Sequence, residues 1–158
     1  MIQRIQSVYL VVAIILIAIL FSGINLFEFQ GYDVTYKLNA FGLKEISAVN
    51  GGAITQVAIP FFILMSLLVV LLFLALISFK QLKRQLAILR FTLLIYFVIV
   101  LGVVLMYVFG DRYLPSKINY TNIGWGIFLL SLGFPLTFLA YNGVRKDKNL
   151  LDSLNRLR

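Results

Sequence analysis

Residues 57–79 read VAIPFFILMSLLVVLLFLALISF, an unbroken apolar run without one charged side chain. About 20 mostly apolar residues wound as a helix cross roughly 30 Å of hydrocarbon, so this run is long enough to span a bilayer. The basic octet KQLKRQLA follows at 80–87, and then a second run, ILRFTLLIYFVIVLGVVLMYVF, at 88–109. So short a polar connection makes the two helices antiparallel neighbours. Arg90 stands at the edge of the second run, where a long side chain snorkels to the headgroups.

Outward from this pair, residues 8–27 form a third apolar run, polar only at Ser22 and Asn25, and residues 123–144 an uncharged fourth. The run at 8–27 exceeds the 7–15 residues of a signal-peptide core and no small-x-small cleavage site follows it, so it reads as an uncleaved anchor. The expected fold is an all-α integral membrane protein. It is a single membrane domain over 1–158, an antiparallel four-helix transmembrane bundle with outer loops at 28–56 and 110–122 and a cytoplasmic loop at 80–87. A cytoplasmic tail follows at 145–158.

Composition agrees with the class. Of 158 residues, 61% are hydrophobic and 13% charged, with a mean hydropathy of +0.99. Soluble domains carry about 25% charged residues and have room to bury far less apolar surface than this. The chain has no cysteine and no histidine, which excludes disulfides, thiol nucleophiles and imidazole chemistry. Its acids, Glu28, Asp33, Glu45, Asp111, Asp147 and Asp152, all fall in predicted loops or tail. An intramembrane carboxylate pair or metal cage is therefore not expected, and neither is a catalytic residue, a metal or a cofactor.

The basic residues divide unequally. Arg4, Lys80, Lys83, Arg84, Arg90, Arg145, Lys146, Lys148, Arg156 and Arg158 fall on one side of the predicted membrane. Lys37, Lys44, Arg112 and Lys117 fall on the other, matched there by four acids. By the positive-inside rule the first side, with both termini, is cytoplasmic. Topology accounts for the formal charge of +8, so no nucleic-acid partner is expected. Lys80, Lys83, Arg84, Lys148, Arg156 and Arg158 are instead candidate contacts for anionic lipid. Tyr9, Phe27, Phe29, Phe79, Tyr107, Tyr113, Tyr120, Trp125 and Tyr141 fall near the predicted interfaces, where amphipathic rings settle.

Outside the helices, residues 32–38 alternate in polarity and read as a strand, 39–42 supply turn chemistry, and 42–49 read as a second strand or a helical turn. Two strands alone are marginal in water, so this hairpin-like loop packs on the helix ends or on a partner. In the tail, Leu150, Leu151, Leu154 and Leu157 recur at helical spacing beside Lys148, Arg156 and Arg158. That pattern is a short amphipathic helix, either an anchor lying on the cytoplasmic leaflet or a docking helix. Within the bundle, Gly102, Gly126 and Gly133 are candidate packing positions, because small residues let helix backbones approach in lipid. Gln3, Arg4 and Gln6 are a candidate polar contact at the cytoplasmic mouth of the first helix.

The opening Met1-Ile2-Gln3-Arg4-Ile5-Gln6-Ser7-Val8-Tyr9-Leu10 and the close, where Arg145-Lys146-Asp147 leads to Asn155-Arg156-Leu157-Arg158, are distinctive. With four predicted spans in this length, the chain resembles the small bacterial membrane proteins of domain of unknown function 4293. The resemblance implies a Gram-negative inner-membrane location and supplies no activity. The expected role is a non-catalytic accessory or scaffold subunit of an inner-membrane assembly with a membrane-protein partner. The alternative is a lipid-binding or small-solute transport protein that uses an interhelical cleft.

Overall fold

The structure, a computed structural model, describes residues 3–32, 34–47, 53–57, 61–114 and 118–156. Four helices run up and down: α1 (Gln3–Leu20), α2 (Phe61–Ile77), α3 (Leu82–Tyr113) and α4 (Trp125–Arg156). A 3₁₀ turn, Ser78–Lys80, links α2 to α3. Among the described residues there are also five strands: β1 (Phe27–Gly31), β2 (Val34–Asn39), β3 (Gly42–Ser47), β4 (Ala53–Val57) and β5 (Ile118–Ile123). They form one antiparallel sheet in the order β4-β3-β2-β1-β5.

The expected all-α bundle is thus corrected. Both predicted outer loops contain strands, and the second contributes β5 to the free side of β1, pairing Phe27 with Ile123 and Phe29 with Thr121. The stretch that reads as a bare hairpin is the middle of a sheet. Alternation explains it. Phe27 and Phe29 are buried and pair with Leu38 and Tyr36 on one face, while Glu28 pairs with Lys37 on the other. The β2–β3 turn is held by Asn39, whose Oδ1 accepts from the N–H groups of Phe41 (3.0 Å) and Gly42 (3.1 Å). Gly42 supplies a φ of 136 that a side chain rarely tolerates.

The four-span expectation is also corrected. Among the described residues, three helices are long and apolar enough to cross a membrane, over Phe61–Lys80, Leu82–Gly110 and Trp125–Leu154; Ile5–Leu20 is a shorter apolar helix. The predicted first span at 8–27 overruns a real break. The N–H groups of Phe21, Ser22 and Gly23 bond carbonyls three residues back, and Gly23 takes a φ of 87. The chain then turns into β1, its Leu26 N–H bonding the Leu38 carbonyl. Apolar residues at 21–27 serve a turn and a strand, which hydropathy alone cannot tell from helix.

The predicted cytoplasmic tail likewise is no separate amphipathic helix. α4 continues without a break to Arg156, because no helix-breaking residue follows Gly143. Its 32 residues make a rod of about 48 Å. Pro135 lies inside it.

The core is a set of facing helical stripes. α1 presents Gln6, Leu10, Ala13, Ile17 and Leu20; α2 presents Phe61, Met65, Leu68, Leu72 and Ala75; α3 presents Leu89, Thr92, Tyr96, Ile99 and Val103; all are buried. The opposite faces carry exposed Val, Leu, Ile and Phe, as surfaces bathed in lipid do. The sheet closes one end. Phe29 covers Gly110 of α3, and the Phe27 ring lies 5.0 Å from that of Tyr107. Phe21, Phe41 and Phe62 cluster beside it, joining the end of α1, the β2–β3 turn and the start of α2. The other end holds the α2–α3 connection and the two ends of the described chain.

Candidate functional site

The sequence candidates converge on the basic end. On α1, Gln6 is buried and its Nε2 donates to Asp147 Oδ2 of α4 at 2.7 Å. Gly143 makes the contact feasible, because a Cβ there would stand 2.7 Å from Gln6 Cγ. The partner of Gln6 is therefore an acid of the tail, and α1 and α4 approach each other closely at this point. The side chains of Gln3 and Arg4 lie outside the described residues, although the backbone of both is part of α1. At the same end α3 buries Gln85, with 3% of its surface exposed.

The basic candidates separate. Lys80 and Arg84 share the wall of a cavity of about 260 Å³ with Leu74, Ile77, Ser78 and Gln81. Lys80 Nζ is also held 5.9 Å from the Phe79 ring centroid. Lys83 is exposed and does not line the cavity. Lys148 is half-buried on α4, while the side chain of Arg156 and all of Arg158 lie outside the described residues.

The glycine candidates also differ from one another. At Gly102 a Cβ would meet only Phe61 Cζ, at an ordinary 3.7 Å. At Gly126 it would stand 2.9 Å from the Asn25 carbonyl oxygen and 3.0 Å from Leu26 Cδ2, so α4 begins directly against the turn after α1. The N–H of Gly126 bonds that same Asn25 oxygen at 3.0 Å. At Gly133 a Cβ would collide with the Tyr96 hydroxyl, which donates to the Leu130 carbonyl at 2.8 Å in a fully buried position.

Sequence reasoning gave no site role to Tyr96, Gly143 or Asp147. A signal for the last was present. The seven-residue spacing of Gly126 and Gly133 continues to Ala140 and Asp147, which traces one stripe of α4 from the sheet to the basic end. Tyr96 carried no such mark among its apolar neighbours. Among the described residues, no three His, Cys, Asp or Glu side chains come together as metal ligands. At the sheet end, Glu28 accepts from Lys37 Nζ at 3.2 Å and from Asn25 Nδ2 at 2.8 Å, which ties β1, β2 and the turn together.

Comparison with curated proteins finds no match. The family described as "Domain of unknown function (DUF4293)" matches residues 2–157. With nearly the whole chain covered and apolar helices fit to cross a membrane, this membrane protein belongs to the DUF4293 family.

Proposed function

We propose that the protein is a non-catalytic accessory or scaffold subunit of a bacterial inner-membrane assembly, held in the bilayer by its helices and docking through its sheet. The observation that supports this reading is the free edge of β5. It pairs with β1 on one side only, and among the described residues no strand covers the other side. Proteins protect exposed edges with Lys, Pro or very short strands. Ile118-Asn119-Tyr120-Thr121-Asn122-Ile123 has no charge and no proline, and it stays in regular register with β1 over Tyr120–Ile123. Tyr120, Ile123 and the adjoining Trp125 are each more than half exposed. Large amphipathic anchors beside an open edge suit strand addition by a partner.

The basic end faces the cytoplasm on this reading, since Lys80, Lys83, Arg84, Arg145 and Lys146 gather there. The basic ends of α2, α3 and α4 are then cytoplasmic and the sheet is periplasmic. The chain has no native cysteine, so single cysteines at Tyr32 and Ser153 report the topology. Labelling of both from the same side of the membrane breaks this topology. For docking, a photo-crosslinking residue at Tyr120 is expected to give one discrete protein adduct in native membranes. Ile123→Lys should abolish that adduct without unfolding the chain. Adducts to lipid alone, or an adduct indifferent to the lysine, would remove the accessory-subunit reading.

A further inference from the structure

The cavity at the α2–α3 connection is lined in two halves. Leu74 and Ile77 form one wall, and both are substantially exposed on the lipid-facing surface of α2. Ser78, Lys80, Gln81 and Arg84 form the other. The polar wall offers two cations, a hydroxyl and an amide, and no carboxylate. The apolar wall continues directly into the surface that meets acyl chains. Gln81, in a non-helical conformation (φ −116, ψ 81), leaves the start of α3 without a side-chain cap. The positive end of a 32-residue helix therefore adds to the field of the two cations. Lys80 is partly pre-positioned by its contact with the Phe79 ring.

We propose that this cavity binds the phosphate of an anionic phospholipid, with Lys80 and Arg84 on the phosphate oxygens, Ser78 and Gln81 donating beside them, and the acyl chains laid along Leu74 and Ile77. Arg84 supplies the planar fork that matches a phosphate edge, and Lys80 a mobile point charge. The site gathers two cations around one open cavity, and that separates it from a diffuse basic rim. Lys83, one position from Arg84 but outside the lining, is the internal control.

The test is native mass spectrometry of the full chain in a mild detergent, with phosphatidylglycerol, phosphatidylcholine or inorganic phosphate added at matched concentrations. One phosphatidylglycerol molecule is expected to be retained per chain in preference to phosphatidylcholine. The double variant Lys80→Ala/Arg84→Ala should reduce that retention about tenfold, while Lys83→Ala should change it less than twofold. Ser78→Leu, which fills the cavity and leaves every charge in place, should also lose the lipid. Circular dichroism and gel filtration confirm that each variant is folded. Equal loss in Lys83→Ala, or full retention in Ser78→Leu, overturns the site, because either result reduces it to surface charge. Inorganic phosphate that competes as effectively as the lipid overturns the lipid assignment and leaves a site for a free phosphate group.

Discussion

The two ends of the bundle are closed by different materials. At the sheet end closure is made by backbone. Gly124 N–H bonds the Leu26 carbonyl (2.9 Å), Gly126 N–H bonds Asn25 (3.0 Å), and strands from two separate loops complete one ladder. At the basic end it is made by side chains, Gln6 with Asp147 across α1 and α4. Backbone contacts fix spacing to a fraction of an ångström and leave no rotamer to yield, whereas a side-chain contact can reorient or be replaced by water. The sheet end should therefore fail when volume is added, and the basic end only modestly when a group is removed.

The largest effect is expected at Gly124. A Cβ there would overlap the Asn25 carbonyl, which is itself bonded to α4. Gly124→Ala should cost about 3 kcal/mol in detergent-mediated unfolding, or abolish folded yield. A wild-type unfolding curve would mean that this end is as compliant as the other. Next is the middle of the seam. Gly133→Ala should cost about 2 kcal/mol through the Tyr96 hydroxyl. Tyr96→Phe removes that hydroxyl, so the double variant should be more stable than the sum of the singles by about 1 kcal/mol. Strict additivity would show that the two residues do not meet.

At the basic end, Asp147→Ala should cost only about 1 kcal/mol, the worth of one hydrogen bond in a membrane protein. A loss as large as that of Gly124→Ala would erase the contrast between the ends. The smallest effect belongs to Glu28→Gln. Its pair with Lys37 is partly exposed, so thermal unfolding should register less than about 1 kcal/mol, shrinking further in high salt. A salt-independent loss would mean that the bond from Asn25 matters more than the ion pair.

Hydropathy made the helices of the runs at 57–79, 88–109 and 123–144 legible, because lipid selects for uninterrupted apolar length over a whole window. Their ends were less so. Residues 21–27 are as apolar as a span, yet a positive-φ Gly23 and the alternation of Phe27 and Phe29 turn them into a break and a strand. β2 and β3 showed in their alternation and in the Asn39–Gly42 turn. β5 did not, since its partner β1 lies some ninety residues earlier and a six-residue strand bears little mark of what it pairs with. In the candidate sites, Gln6 stood out as a polar residue on an apolar helix. Its partner could only be found in space.

What the sequence alone determined was the solvent of this protein and the sign of its two ends. Twenty-residue apolar runs tolerate no water, and the basic residues cluster where the spans stop. The tertiary structure decided everything that depends on distance between separated segments. It set the fifth strand, the contact of Tyr96 with Gly133, the bond of Gln6 to Asp147, and the gathering of Lys80 and Arg84 around one cavity while Lys83 points elsewhere. The reason is physical. Transfer into lipid is a property of each residue summed along the chain, whereas pairing and packing are properties of couples that only the fold brings within reach.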